Sequence, residues 1–547
     1  MLPLDLDGLL SAEDLDTVTH SALQEWRDSR SLLASTIKSY LSASINLRNA
    51  YNRTCGGSAI EQVLVVVDSE LESLAFEEQV LHSTRMSLAT MRNKSARLVH
   101  INMLPPETLA SIFAMSKTYC VRDDKHCFHN FTGVCAYWRQ IALDRAELWS
   151  HIDIGPETHN NLATLLLERT KHSPIHVHLY EPNPKVNDDR PTPEPEVTTA
   201  TQTLLPHMNR IATLDLESYS YSRYFISTML NLWFEHGSPS VARSLLVYRP
   251  KADKLLSPNG QSRNGMLWSR SSNAMGILRS VTKLHLQNVR FDWDSSAWRG
   301  LIDLRLSVPC DFVSISVTQL AGIFSENPNV VTLKLRRLRI TCPDDWEPPA
   351  PVELACLKVL NLFFIQPDSL RLLLPLIALP NTSTGLTVGL SVSNEIHDHL
   401  LKFFTRSQMH TLHLYSDGYL YASWSTLLKS LPCPDDLVLQ SFNMRRATAT
   451  HGECATSDDS EPTSSSHLPS VTLLLCVVGL DGLKNLVYQH KIKKLTLEQC
   501  QLIAEPDGPK QLEEVRTLLL EVYPELDCKI LDADSGRQSF YRKVFDR

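Results

Sequence analysis

The sequence has no cysteine pair spaced C-x-x-C, and its twelve cysteines are scattered from Cys55 to Cys528. That spells out neither a zinc ribbon nor a small disulfide scaffold, and reduced thiols are the expected state. G-x-S-x-G, G-x-x-x-x-G-K-[ST], H-E-x-x-H and G-x-G-x-x-G are also missing. The commoner hydrolase, nucleotide and metalloprotease signatures are therefore absent, and neither intrinsic turnover nor a cofactor is expected. A basic excess is lacking too: 53 Lys and Arg stand against 61 Asp and Glu, a net charge of −8, so no general affinity for nucleic acid follows. Long apolar runs do not occur. "LRLLLPLIALP" from Leu370 and "VTLLLCVVGL" from Val471 fall short of the ~20 residues that cross a bilayer. The opening "MLPLDLDGLLSAEDLD" has acids and no Lys or Arg, unlike a secretory or mitochondrial presequence. These features predict synthesis in the cytosol and a cytoplasmic or nuclear protein.

What is present is globular composition, 43% apolar and 21% charged over 547 residues. That length exceeds one ordinary core, so several domains or one repeat array are expected.

Glycine and proline are nearly missing from residues 1–98, where Gly8, Gly56, Gly57 and Pro3 are the only ones, so long helices are permitted. Ile60, Leu64, Val67, Leu71, Leu74, Leu81 and Leu88 follow a 4,3 alternation in which Glu78 and Arg85 fill polar slots. Trp26, Leu33, Ile37, Tyr40, Leu47 and Tyr51 keep a similar spacing before "RTCGGS" at Arg53–Ser58. The pattern predicts an antiparallel helical hairpin, or a coiled coil that recruits a second chain and so self-associates.

From about His176 a short leucine pattern recurs. It reads "IATLDL" at Ile211, "VTKLHL" at Val281, "LIDLRL" at Leu301, "VVTLKL" at Val330 and "LKVLNL" at Leu357. It continues as "MHTLHL" at Met409, "DDLVL" at Asp435, "VTLLL" at Val471, "IKKLTL" at Ile492 and "VRTLLL" at Val515, with "SLLVYR" at Ser244 and "GLTVGL" at Gly385 filling the wider gaps. Most spacings lie near the 20–29-residue period of leucine-rich repeats. In "IKKLTLEQCQL" the residues Ile492, Leu495, Leu497, Cys500 and Leu502 fill the L-x-x-L-x-L-x-x-C-x-L frame, and elsewhere Val289, Leu338 or Ile365 holds the Cys slot. The expected fold is α/β: a solenoid over 160–547 of parallel strands with covering helices, in which no unit buries its apolar face alone. Two polar stretches, near 182–203 and 445–467, are expected to be disordered loops.

Residues that alternate with the leucines should point away from the core. Lys283, His285, Arg305, Lys334, Arg336 and His413 would form a basic stripe, turning acidic at Glu498 and Glu521. Lys283, Arg305 and Lys334 would act together on one anionic group, with a solvated face as the plainer reading.

Between hairpin and repeats, "INMLPPETLASIFAMSKTYC" starts a helix at Pro105-Pro106 with Glu107 in its first turn. Phe131, Val134, Cys135, Trp138, Ile141 and Ala142 form a second amphipathic pattern, and "ELWSHIDI" adds Leu148, Trp149 and Ile152 as a third short apolar element. Roughly 50 residues cannot hide so much aromatic surface, so part should meet a partner. The intervening "CVRDDKHCFHNFTGVC" holds Cys120, His126, Cys127, His129 and Cys135, but at spacings of no finger pattern, and it reads as a polar loop rather than a metal site.

L-P-x-E followed by V-C-x-x-W-R-x-I-A and L-W resembles an F-box, the module that joins receptor subunits to cullin-based ubiquitin ligases through a Skp-type adaptor. The span from Lys117 to His129 is longer than is usual there. The resemblance implies adaptor binding by Leu104, Pro105, Glu107, Leu109, Ile112, Phe113, Val134 and Trp138 within a module over 99–155. The order of helical region (1–98), F-box-like module and leucine-rich repeats resembles a family abundant in mushroom-forming fungi. It implies a non-catalytic receptor whose repeats bind an unknown target protein, its rate supplied by proximity. The alternative is a repeat scaffold outside any ligase, its F-box-like helices capping the first repeat.

Overall fold

The computed structural model describes residues 17–53, 58–93, 100–116, 130–155, 160–181, 194–218, 224–249, 272–289, 298–307, 314–343, 346–347, 349–379, 385–405, 409–416, 428, 434–443, 468–503 and 511–531. The chain forms two compact units, one of 1–109 with 120–139, the other of 110–119 with 140–547.

In the first unit, α1 (Thr17–Tyr51) and α2 (Ser58–Asn93) run uninterrupted, as the scarcity of glycine and proline allows. The Tyr40 hydroxyl donates to Glu70 Oε1 at 2.8 Å. Tyr40 and Glu70 lie at similar distances on either side of the link, so the pair is antiparallel. On α2 the half-buried residues include Val63, Val67 and Leu74, whereas Leu64, Leu71, Leu81 and Leu88 stay exposed. Val67 and Leu74 of the expected stripe thus lie on the seam, which is rotated from that stripe toward Val63 and away from Leu64 and Leu71. Residues 54–57, which hold the expected turn, lie outside the described residues.

In the second unit, fourteen strands among the described residues build one sheet: β1 (His151–Ile154), β2 (Ile175–Tyr180), β3 (Ile211–Glu217), β4 (Ser244–Tyr248), β5 (Lys283–Gln287), β6 (Asp303–Ser307) and β7 (Thr332–Arg336). They are followed by β8 (Val359–Leu362), β9 (Thr387–Val392), β10 (Thr411–Ser416), β11 (Asp436–Gln440), β12 (Ser470–Leu474), β13 (Lys494–Glu498) and β14 (Asp527–Leu531). Each strand pairs in parallel with the next, from β1 to β14 without closure. This is an α/β array of the solenoid-like kind, with helices packed on one sheet face.

The leucine pattern explains that face. Leu284, Leu304, Leu333 and Leu360 share one register row, and Leu286, Leu306 and Leu335 the row two residues on. Both rows are buried against helix residues such as Ile277, Leu320 and Leu370. The end of a strand repeats as well. Asn288, Arg337, Phe364, Ser441, Leu475 and Gln499 each follow a strand with φ between 52° and 62°, the left-handed region that non-glycine residues seldom occupy. The amide of Asn288 donates to Ser307 O, that of Ser441 to Leu474 O and that of Gln499 to Leu531 O, at 2.7–3.1 Å, carrying the ladder one step beyond the strand. The kink sends the following residue back inside. Leu338, Ile365, Phe442, Cys476 and Cys500 are buried there, as the Cys-slot reading expects of Leu338, Ile365 and Cys500, whereas Val289, which that reading also placed in the slot, is half-buried against the core.

Several expectations are corrected. "VRTLLL" is helix, within α-helical Leu512–Val522: Val515 and Leu519, four apart, are the buried pair, and Glu513 and Glu514 sit in its first turn. Glu521 accordingly belongs to no strand. Among the described residues the last strand is "DCKIL", and two strands precede the first leucine match, one of them inside the 99–155 stretch. Part of the expected disordered loop at 182–203 is a helix, Glu194–Leu204, while 182–193 and 445–467 lie outside the described residues. No helix of the described residues is long and apolar enough to cross a membrane.

Candidate functional site

Two surfaces carry the functional expectations. The first begins at α3 (Pro106–Ser116), where Thr108 and Leu109 amides both bond Pro105 O at 2.9 and 3.1 Å. Proline suits this start because its missing N–H is one the first turn leaves unpaired anyway. Pro105 and Glu107 are exposed and Leu104 and Ile112 half-buried, but Leu109 and Phe113 are buried. The buried pair therefore serves the folding of its helix, and the surface available at α3 is narrower than the eight-residue set implied.

Downstream, α4 (Asn130–Val134) and α5 (Ala136–Asp144) carry the second pattern. Val134 is exposed. Trp138 is half-buried and donates Nε1 to Asn102 Oδ1 at 3.0 Å, and Asn102 in turn donates Nδ2 to Asn93 O at 2.7 Å. Arg139 Nε donates to Thr132 O at 2.9 Å. Asn102 was missed by sequence reasoning, because a lone Asn next to apolar residues carries no pattern. The third apolar element is a 3-10 turn, Ala146–Trp149, running directly into β1. Trp149 is buried, its Nε1 donates to Ala142 O at 2.7 Å, and the Arg169 guanidinium sits 4.5 Å over its ring.

The second surface is the sheet face opposite the leucines. Its central row passes from His285 to Arg305, Lys334 and Asn361, and farther along through Gly389 to His413. Lys283 lies in a different row, facing Asp303 and Thr332. The expected trio of Lys283, Arg305 and Lys334 is therefore not one cluster; His285 stands where Lys283 was placed. Lys334 and His413 are buried despite facing away from the leucines, because strands about 4.8 Å apart let neighbouring side chains shield one another.

Electrostatics divides this face. At its beginning Asp153 accepts from His178 Nδ1 at 2.9 Å and His151 Nε2 at 3.3 Å, and His178 Nε2 lies 3.5 Å from Glu217 Oε2. Burial opposes the Asp153 charge, but the two imidazoles outweigh it and hold the carboxyl well below the usual carboxylate range. Ser218 Oγ donates to the buried Glu181. In the middle, His285 Nε2 lies 3.0 Å from Asp303 Oδ2, and burial lowers its pKa against the pull of that carboxylate.

Past the ends of β7 and β8 sequence reasoning missed an aromatic and cationic cluster. Arg336 and Arg337 lie 5.0 and 5.8 Å over the Phe364 ring. Phe364 meets Tyr415 edge-on at 4.7 Å, and Phe363 meets His413 at 4.8 Å. The signal was present as "FF" directly after "LNL", but its meeting with Arg336 depends on strand register. Stacked guanidiniums keep their in-plane donors oriented, which suits carboxylate or phosphate groups. The cysteine and histidine loop at 120–129 lies outside the described residues; Cys135 is half-buried, its Sγ 3.4 Å from the Trp138 amide. Among the described residues no group of three His, Cys, Asp or Glu could hold a metal ion. No protein-family model matches the chain, and no curated protein matches it.

Proposed function

We propose that the chain is the substrate-recognition subunit of a cullin-based ubiquitin ligase, with residues 101–154 docking on a Skp-type adaptor and the polar sheet face binding the protein to be modified. The observation that supports this best is the Asn102–Trp138 hydrogen bond of 3.0 Å. It ties the chain just before Leu104-Pro105 to the V-C-x-x-W-R helix, two parts of the F-box-like pattern that lie more than thirty residues apart. Pro105, Glu107 and Val134 are exposed and Leu104 half-buried around these elements, so each retains surface for docking. The parallel strands and their recurrent left-handed corner support reading the array as leucine-rich repeats.

Target binding belongs to the middle of the sheet, where Arg336, Arg337, Phe364 and Tyr415 combine donors with ring faces. An acidic or phosphorylated segment fits that chemistry. Paired charge reversal, Arg336→Glu with Arg337→Glu, should change the proteins captured by affinity purification while the adaptor stays bound. An unchanged list of captured proteins removes this face from recognition.

A second reading rests on Trp149. Its burial, its bond to Ala142 and the Arg169 guanidinium over it are what a cap on the first strand requires. In that case the chain is a repeat scaffold, and no adaptor co-purifies with it.

A further inference from the structure

The helix α2 carries apolar residues on two faces, and only one is turned to α1. Val63, Val67 and Leu74 are half-buried. About 130° around the helix, at ~100° per residue, a second line runs through Val66, Ser69, Ser73, Phe76, Val80 and Ser83. Its steps alternate three and four residues and include no charge. This spacing is that of a helix–helix seam, yet Val66 is 65%, Phe76 68% and Val80 48% exposed.

We propose that this line is a homodimer interface, in which α2 packs antiparallel on α2 of a second copy of the chain with Phe76 at the two-fold axis. Three properties select a second copy. The line is complementary to itself when reversed about Phe76: Ser69 then faces Ser83 of the second copy, and Ser73 and Val66 come within one residue of Val80 and Ser87, so each valine of the line meets a serine. Charge is divided along the helix, with six acids between Glu61 and Glu78 and only Arg85 and Arg92 after them. An antiparallel pair sets the acidic half of each copy against the arginine half of the other, whereas a parallel pair would stack acid on acid. Finally, 36 residues at ~1.5 Å each give a contact line of about 54 Å.

Light scattering after size exclusion of the full chain should give a mass twice the 61.7 kDa of one chain. Phe76→Glu and Phe76→Lys should each halve that mass with unchanged helical circular dichroism. Mixing the two variants should restore the dimer, because opposite charges then meet across the axis. A wild-type mass of one chain overturns the proposal, as does a dimer in either variant alone. Failure of the mixture to reassociate overturns the placement of Phe76 on the axis.

Discussion

Arg305 donates Nε and Nη2 to the two carboxylate oxygens of Asp303, two residues earlier on the same strand, both at 2.9 Å. The fork, with His285 3.0 Å away, uses the charge of Arg305 within the protein. Burial works against the Asp303 charge, but His285 and Arg305 together hold its carboxyl well below the usual range. The basic row is therefore partly internally neutralised. Asp303→Asn should lower stability by about 1–3 kcal/mol, the cost of leaving partly buried partners without their acceptor. The double variant Asp303→Asn with Arg305→Gln should recover part of that loss, as two coupled sites do. Urea midpoints of wild type, Asp303→Asn, Arg305→Gln and the double variant measure both, and additive effects would show the fork to be energetically idle.

Burial depresses the imidazole of His413 to about 4 from its ordinary 6.5. The unfolded chain takes up this proton first as pH falls, so the stability due to neutral His413 is complete above pH 6.5 and lost progressively down to pH 4. Between pH 7 and 5 the loss should be about 2 kcal/mol. Asp303 and Asp153, with lowered pKa values, act below that window, since their contribution disappears only once pH falls past the ordinary carboxylate value near 4. Unfolding measured at pH 7, 6 and 5 should show the slope in the wild type and a shallower one in His413→Gln. An equal slope in both would assign it elsewhere.

Trp149 closes the first strand's end of the core. Trp149→Ala should cost about 3–5 kcal/mol through the cavity left behind. Trp149→Phe keeps most of the packing, loses the bond to Ala142 O and should cost about 1–2 kcal/mol. Thermal unfolding of the two variants against wild type checks the order; near-wild-type behaviour of Trp149→Ala would mean that the core does not depend on this ring.

The sheet was legible where strands repeat one motif. The paired leucines of "LHL", "LRL" and "LKL" fall in common rows, which fixes eleven strands in sequence. "HIDI", "IHVHLY" and "DCKIL" escaped because Ile, Val or Cys takes the leucine position and no period marks them. "VRTLLL" misled because a short apolar run fits helix and strand alike; the i, i+4 pair Val515 and Leu519 was the discriminating feature. Lys283 was misplaced for want of counting. Measured back from the last leucine of each strand, His285, Arg305 and Lys334 stand one residue before it, and Lys283 stands three before. The aromatic cluster at Phe364 and the role of Asn102 were not legible, since each depends on which distant segments the register and the chain path bring together.

The ligase reading depends most on adaptor docking, and calorimetric titration of a purified Skp-type adaptor into the full chain measures it directly. The account predicts a one-to-one complex. Leu104→Ala with Pro105→Ala should weaken it at least ~30-fold, about 2 kcal/mol or more, without altering the circular dichroism spectrum. A titration with no heat and no binding at tens of micromolar, or full affinity in the double variant, would contradict it.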